Sequence, residues 1–273
     1  MLLGIDIGGT TISLGLVQGT EIVHKETIPS FKKEASLTET LDYLSSAINN
    51  ILVPEVDRIG IGVPTVVDQQ KGILYDAANI PSWKEVHLKD YLESRFGKKV
   101  NVNNDANCYA LGAASIKGYE TGISVCITLG TGVGMGVIVD GKLLNGCNTG
   151  VGELSCLPYR ESIIEDYCSR KFFDDKGLDS AELAKKARGG EPSALATFKD
   201  YGKNLAALVN VVMLAYDPDH IIIGGGIANN SEFFHDSMIQ ALEEIFPYKR
   251  SLDKLDIVYI PQPETAIVGA SLL

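Results

Sequence analysis

The sequence predicts an α/β protein built from two related halves. Strand-like apolar runs alternate with helix-like segments along most of its 273 residues, as is typical of α/β folds. A unit of apolar strand, Gly/Thr turn and returning strand begins at Leu2 and occurs again at Ile123. Because the turn chemistry repeats together with the strands, the two units indicate related halves that face each other. At about 150 residues per domain, the length also fits two domains.

The first half opens with the strand Leu2–Ile7, the turn Gly8-Gly9-Thr10 and a returning strand at 12–17. Segment 36–52 carries apolar residues at helical spacing and predicts a helix. The other elements of this half are predicted in chain order as a strand, a short helix, a strand and an Ala-rich helix: Arg58–Val63, Leu88–Phe96, 99–102 and Asp105–Lys117.

The second half repeats the hairpin at Ile123–Leu129 and 134–139, around the turn Gly130-Thr131-Gly132. A domain boundary is expected near 106–120, because this second hairpin begins just after it. The elements that follow are predicted in chain order as helices at 161–173, 181–188 and 193–216, a strand at 220–223, a helix at 233–246, a strand at 255–260 and a terminal helix at 264–273.

The charge of the chain argues against two classes of partner. The chain has 24 Lys and Arg against 35 Asp and Glu, a formal net charge of −11, so it repels nucleic-acid phosphates and anionic lipid. Its apolar stretches are too short to cross a bilayer, and its first residues lack the features of a signal peptide. We expect a cytoplasmic protein with no nucleic-acid or membrane partner, whose five scattered cysteines are reduced thiols.

Asp6-x-Gly8-Gly9-Thr10 is the first motif that can carry chemistry. Glycines let a backbone approach a ligand closely, and turn N–H groups with a Thr hydroxyl can bind phosphate oxygens. Asp6, at the end of a buried strand, can hold Mg²⁺ through water, since a buried carboxylate needs a cation or hydrogen bonds. An ordinary hairpin with a helpful glycine is the alternative interpretation.

Two more glycine-rich segments lie in the second half. Four glycines within 130–136 would weaken a strand, so close approach of a polyphosphate explains them better than a softened strand does. Gly224-Gly225-Gly226 follows three isoleucines and suits a base or a ribose lying against bare backbone. A plain strand-to-helix turn is the alternative for this second segment.

A polar cluster at 103–107 ends one strand and opens a helix. We interpret Asp105 as a general base that takes the proton from an attacking hydroxyl, while Asn104 positions the same molecule. A helix-capping carboxylate is the alternative. Glu153 and Glu165 add two carboxylates to a set suited to the paired hydroxyls of a sugar, although Glu165 taken alone is interpreted as a surface helix residue.

Together these motifs resemble the ROK family of sugar kinases, within the actin–hexokinase–Hsp70 ATPase superfold. Order and spacing agree over almost the whole chain. The matching segments are 5–10, 59–64 with Val67-Asp68, Asn79-x-Pro81-x-Trp83, 104–107, 129–134, Gly152-Glu153 and 222–226. The resemblance implies a two-domain actin-like (ribonuclease H-like) fold with a central cleft. It implies a first domain at 1–108, with helix 264–273 packed back on it, and a second domain at 109–263.

The same resemblance implies that ATP and Mg²⁺ bind in the cleft and that a phosphoryl group passes to a sugar hydroxyl, commonly the one on carbon six. It implies that Asp105 is the catalytic base. The sugar-binding residues that it implies are Asn104, Asp105, Glu153 and Glu165. The nucleotide-binding residues that it implies are Asp6, Gly8, Gly9, Thr10, Thr11, Gly130, Thr131, Gly132, Gly225 and Gly226. Related proteins commonly form homodimers, and we expect a homodimer here.

The chain departs from the family pattern where sugar and zinc are concerned. Ser155 and Cys156 stand where the family often has Gly-His. The sugar therefore stays open: glucose is the default, with N-acetylmannosamine, N-acetylglucosamine, fructose and allose as candidates. Segment 157–163 stands where the family often carries a Cys-rich zinc loop, and it has no cysteine. Since structural zinc needs four close ligands, we expect no structural zinc.

Three alternatives to a sugar kinase belong to the same superfold. The first is a non-catalytic sugar-sensing or regulatory protein. Repressors of the family carry a DNA-binding segment ahead of the first strand, whereas this sequence starts with the strand at Leu2. The second, a non-catalytic actin-like ATPase or scaffold, would not need the sugar-binding residues named above. The third, the iron–sulfur branch, needs a C-x-x-C pair, which the sequence does not contain.

Overall fold

The computed structural model describes residues 1–146 and 150–273; Cys147, one of the five cysteines, lies outside these ranges. The chain forms two compact units. The first unit consists of Met1–Glu120, the described part of 141–149 and Pro263–Leu273, and the second unit consists of Thr121–Asp140 and Gly150–Gln262. Within the described ranges, every helix is too short or too polar to span a bilayer.

The elements up to residue 120 are, in chain order, β1 (Leu2–Ile7), β2 (Thr11–Gln18), β3 (Glu21–Pro29), α1 (Leu37–Ile51), β4 (Arg58–Val63), β5 (Val66–Asp68), β6 (Ile73–Tyr75), β7 (Glu85–His87), α2 (Leu88–Phe96), β8 (Lys99–Asn104) and α3 (Asp105–Lys117). Those after it are β9 (Ile123–Leu129), β10 (Val133–Val139), β11 (Lys142–Leu143), a 3₁₀ turn (Glu153–Cys156), β12 (Pro158–Tyr159), β13 (Ser162–Ile163), α4 (Ile164–Cys168), α5 (Lys171–Asp174), α6 (Ser180–Arg188), α7 (Pro192–Tyr216), β14 (His220–Gly224), a second 3₁₀ turn (Gly226–Asn230), α8 (Ser231–Ile245), α9 (Lys249–Leu252), β15 (Asp256–Ile260) and α10 (Glu264–Leu272).

The main sheet of the first unit has the strand order β3-β2-β1-β4-β8. Strands β1, β4 and β8 run parallel, with Asp6 beside Gly62 and Gly62 beside Asn103. The alternating apolar side chains of these strands, such as Leu3 and Ile5, are fully buried. Because parallel strands end at the same edge of a sheet, the polar residues after β1 and β8 meet at one place.

The backbone of helix α10 packs directly against the backbone of the first unit's sheet and of helix α3. A Cβ atom placed on Gly60 would lie 1.7 Å from the Ala270 carbonyl oxygen, and one on Gly269 would lie 1.6 Å from the Cys108 carbonyl oxygen. Only glycine allows such close approach. The packing of α3 against α10 keeps all of α3 in the first unit. The division therefore follows Glu120, at the end of the range 106–120 expected from the second hairpin. The division after residue 108 that the family resemblance implied would cut through α3.

The main sheet of the second unit repeats this arrangement. Strand β9 pairs antiparallel with β10 and parallel with β14, which in turn pairs parallel with β15. In the first unit β1 pairs in the same way with β2 and β4, and β4 with β8. The α/β class and the duplicated hairpin predicted from the sequence are confirmed.

The predicted helix at 161–173 is wrong. This segment contains the short strand β13 and the two short helices α4 and α5. The chain leaves the helical conformation at Ser169, where ψ is −174°, and the Arg170 N–H donates to the Gly130 carbonyl oxygen at 2.8 Å. A tertiary hydrogen bond to the second glycine turn thus replaces the bond that would continue the helix.

Candidate active site

In the first unit the structure brings Asp6 and Asp105 together at the carboxyl ends of β1 and β8. Gly62 of β4 pairs with Asp6 on one side and with Asn103, two residues before Asp105, on the other. A Cβ atom on Gly62 would lie 3.6 Å from the Asp105 Cα atom and 3.2 Å from the Cys108 Sγ atom. The first turn of α3 therefore packs directly over Gly62, which holds Asp105 at the sheet edge.

Burial and, to a smaller extent, the negative charge of Asp105 together raise the pKa of Asp6 from its ordinary value of 3.8 to about 7. Burial also raises the pKa of the Cys108 thiol, with smaller contributions from the same two carboxylates. The site therefore concentrates negative charge where solvation is poor. Such a pair of carboxylates is stabilised by a cation or by proton uptake.

Asn104, and not Asp105, caps helix α3. The Asn104 Oδ1 atom accepts hydrogen bonds from the backbone N–H groups of Ala106 at 2.9 Å and Asn107 at 3.3 Å. Asp105 occupies the first helical position, and its Oδ1 atom accepts from the Ala106 N–H at 2.8 Å. The interpretation of Asp105 as the helix cap is therefore wrong. The oxygen of Asn104 is thus engaged in the helix cap, and its Nδ2 group donates to the Thr65 carbonyl oxygen at 3.4 Å.

The first glycine turn, Gly8-Gly9-Thr10, is held by a serine that the sequence analysis missed. Ser30 donates its hydroxyl to the Gly8 carbonyl oxygen at 2.7 Å and its N–H to the Thr10 carbonyl oxygen at 2.8 Å. The Gly8 N–H donates to the carbonyl oxygen of Thr11, the first residue of β2. Both ends of the turn are therefore fixed, as a preformed phosphate site requires.

The second glycine turn, Gly130-Thr131-Gly132, lies beside Glu165 in the second unit. The Glu165 Oε2 atom accepts the Val133 N–H at 2.9 Å, and a Cβ atom on Gly132 would lie 2.9 Å from that same oxygen. Glu165 is only partly exposed. It is therefore not a solvated surface residue, as its sequence context alone suggested, but part of the structure of the turn.

Glu153 lies near the second glycine turn, because Ser155, two residues later, bonds to Val133 at the end of that turn. It begins the 3₁₀ turn Glu153–Cys156 and is exposed, with its Oε2 atom 3.8 Å from the Cys156 Sγ atom. The buried Ser155 hydroxyl donates to the Val133 carbonyl oxygen at 3.1 Å. Glu165 therefore contacts Val133 directly, whereas Glu153 lies two residues before Ser155, which contacts Val133.

Gly225 and Gly226 follow β14, next to the end of β9. Gly225 has φ +82°, and a Cβ atom there would lie 2.4 Å from the Leu129 carbonyl oxygen. By contrast, no atom lies within 4 Å of the position of a Cβ on Gly226. The strand pairing of Gly224 with Thr128 places these glycines beside the second glycine turn.

The described residues suit magnesium better than a protein-built metal centre. Across 1–146 and 150–273, no group of three or more His, Cys, Asp or Glu side chains is placed to hold a metal ion. Magnesium commonly takes one or two carboxylates and completes its shell with substrate phosphates and water. The electrostatically coupled carboxylates of Asp6 and Asp105 fit that donor set. The absence of structural zinc stays a prediction.

Replacing Asp6 by Asn should stabilise the metal-free protein. The pKa of Asp6 is raised to about 7 in the folded protein, so ionising this carboxyl lowers the free energy of unfolding. This loss grows as the pH rises from the pKa of the unfolded state to that of the folded state, and it is constant at higher pH. At about pH 8 the shift corresponds to at most about 4 kcal/mol. In EDTA, the Tm gain of Asp6→Asn should therefore be larger at about pH 8 than at about pH 5. Asp90→Asn, at an exposed position, is the control. An Asp6→Asn gain in Tm that is the same at the two pH values, or that Asp90→Asn reproduces, would contradict the burial of a charge at Asp6.

A family model and several known proteins are similar to this chain over most of its length. A family model described as the ROK family matches residues 2–270. An N-acetyl-D-glucosamine kinase of Erwinia tasmaniensis is 28% identical, with 92% of each chain covered. A glucokinase of Thermotoga maritima is 30% identical, covering 85% of this chain and 83% of the relative. A ROK family glucokinase structure from Streptomyces griseus, in complex with glucose and AMPPNP, matches with a TM-score of 0.81 at 24% identity, covering 99% and 97% of the two chains.

Proposed function

The chain belongs to the ROK family, and we propose that it is an ATP-dependent kinase for a hexose or an N-acetylhexosamine, with the 6-hydroxyl as acceptor and Asp105 as general base. One observation carries the proposal. Asp105 stands at the shared edge of β1, β4 and β8 beside Asp6, while Asn104 takes the capping role. The relatives named as sugar kinases support the same reaction class.

In this proposal Asp105 accepts the proton of the sugar hydroxyl as its oxygen attacks the γ-phosphorus of ATP. Such phosphoryl transfer depends on positioning and charge stabilisation more than on covalent chemistry. Mg²⁺, held by Asp6 through water, would neutralise charge on the phosphates.

The two glycine turns are proposed to bind the phosphates through their backbone N–H groups. Ser30 fixes the shape of the first turn, and Glu165 with Ser155 fixes the exit from the second. Preorganised donors stabilise developing negative charge without reorganisation cost. Gly225 and Gly226 are proposed to lie against the adenosine, because bare backbone lets a flat group approach closely.

Asn104, Glu153 and Glu165 are proposed to bind sugar hydroxyls. Glu165→Gln keeps one oxygen that can accept the Val133 N–H, but it removes the negative charge and replaces the second acceptor oxygen with an NH2 donor. Hydrogen bonds to a charged group contribute about 1.5–3 kcal/mol, so the sugar KM should rise about tenfold or more with a smaller change in kcat. Steady-state kinetics against Glu161→Gln, an exposed glutamate four residues earlier, provide the comparison. An unchanged sugar KM would remove Glu165 from the sugar site.

The test of the proposed function is an ADP-release assay with Mg-ATP over glucose, N-acetylglucosamine, N-acetylmannosamine, fructose and allose. We expect sugar-dependent ADP formation with at least one of them. Calorimetry with the same sugars identifies the alternative: binding of a sugar without any turnover would favour a sugar-sensing protein of the same family.

A further inference from the structure

Asn103 is a buried polar residue to which the reaction scheme assigns no role. It lies at the end of β8, immediately before Asn104 and Asp105, and its exposed fraction is 4%. Its Oδ1 atom accepts three hydrogen bonds: from the Gln69 Nε2 atom at 3.1 Å, from the Asn104 N–H at 2.8 Å and from the Asn107 Nδ2 atom at 3.1 Å. Buried amides are costly unless they are paired, so this arrangement is built into the fold.

The three donors belong to three different segments of the first unit. Gln69 follows β5, Asn104 ends β8, and Asn107 lies in the first turn of α3. Strand β8 is at the edge of its sheet, next to β4 alone. The Asn103 Oδ1 atom therefore links a loop, the end of a strand and the start of a helix around Asp105. Because β8 is an edge strand, its sheet supports this position from the β4 side alone.

Asn103 has contacts that fix geometry without adding charge. Two titratable groups of the first unit, Asp6 on β1 and Cys108 on α3, interact electrostatically with Asp105. A neutral amide accepts hydrogen bonds here without a third negative charge. Small displacements of a catalytic group are expensive, since a misplacement of about 1 Å can cost about 100-fold in rate.

We propose that Asn103 is a positioning residue, which orients Asp105 and Asn104 through the hydrogen bonds that its Oδ1 atom accepts. The proposal rests on the proposed function, because it acts through Asp105 as base. Asn103→Ala should lower kcat about 10- to 100-fold, with the KM for ATP within about threefold of the parent value.

A double-mutant cycle separates positioning from general structural damage. If Asn103 acts through Asp105, Asn103→Ala should cost little further kcat in a protein that already carries Asp105→Asn, because effects of residues acting as a unit are not additive. A structural role would instead cost the same factor in both backgrounds. Melting temperatures are measured for all four proteins.

Gln69→Leu makes the same test if Asn103→Ala fails to fold. It removes the hydrogen bond that Gln69, a partly exposed loop residue, donates to the Asn103 Oδ1 atom. We expect kcat to fall about threefold in the parent protein and to stay unchanged in the Asp105→Asn protein. Gln70→Leu, its exposed neighbour, is the matched control. A kcat for Asn103→Ala within twofold of the parent, or equal losses in both backgrounds, would overturn the positioning role alone. An inactive parent protein would overturn it together with the proposed function.

Discussion

Replacing Asp105 by Asn should lower kcat about 10³-fold, within the range that a general base contributes, while sugar affinity stays within about threefold of the parent. The amide keeps the size of the side chain and an oxygen that can accept the Ala106 N–H, so helix α3 should begin as before. What is lost is the ability to take the hydroxyl proton. Single-turnover kinetics and calorimetry with the preferred sugar measure the two quantities separately.

Asp90→Asn is the matched control for this change. Asp90 is an exposed carboxylate in the first turn of α2 in the same unit, and its loss should leave kcat unchanged. A variant Asp105→Asn that turns over at close to the parent rate would show that Asp105 is not the base. A parallel loss of sugar binding and melting temperature would show instead that its role is structural.

Gly269→Ala should unfold the first unit at a melting temperature about 10 °C below that of the parent, corresponding to a loss of at least about 3 kcal/mol. Helix propensity alone predicts the opposite, a gain of about 1 kcal/mol when Gly in a helix becomes Ala. Packing should dominate, because the added Cβ would lie 1.6 Å from the Cys108 carbonyl oxygen, a backbone atom that cannot rotate away. Thermal melts by circular dichroism give the sign directly.

Gly118→Ala is the graded control. Gly118 ends α3 with φ +71° and has no atom within 4 Å of an added Cβ, so only backbone strain of about 1 kcal/mol is expected. Should Gly269→Ala melt at or above the temperature of the Gly118→Ala variant, the close packing of α10 described here would be contradicted.

The fold was predictable where long apolar runs met glycine turns. The apolar run Leu2–Ile7 and the helical spacing of apolar residues at 36–52 predict a strand and a helix, and both agree with the structure. Three-residue strands such as Val66–Asp68 are too short to show a period. The break at Ser169 was unpredictable for a different reason: it depends on the bond from the Arg170 N–H to Gly130, distant in sequence.

The residue types that the structure brings together at the site were predictable, but their local structural roles were not. Carboxylates and glycine turns can be recognised in a sequence from their residue types and spacing. Whether Asn104 or Asp105 caps α3 depends on rotamers, because both residue types cap helices well. Ser30 belongs to no motif, Asn103 lies in the polar cluster at 103–107 without a predicted role of its own, and Ser155 was noted only as a departure from the family pattern. Their hydrogen bonds to Gly8, Gln69 and Val133 became evident only from the folded chain.

Phosphoryl transfer to the sugar can be observed directly by following the γ-phosphoryl group of Mg-ATP with ³¹P nuclear magnetic resonance in the presence of the preferred sugar. We expect the ATP signals to be replaced by those of ADP and one sugar phosphomonoester per ADP, and we expect Asp105→Asn nearly to abolish this conversion. Release of inorganic phosphate without a sugar phosphate, or no conversion with any of the sugars, would contradict phosphoryl transfer to the sugar.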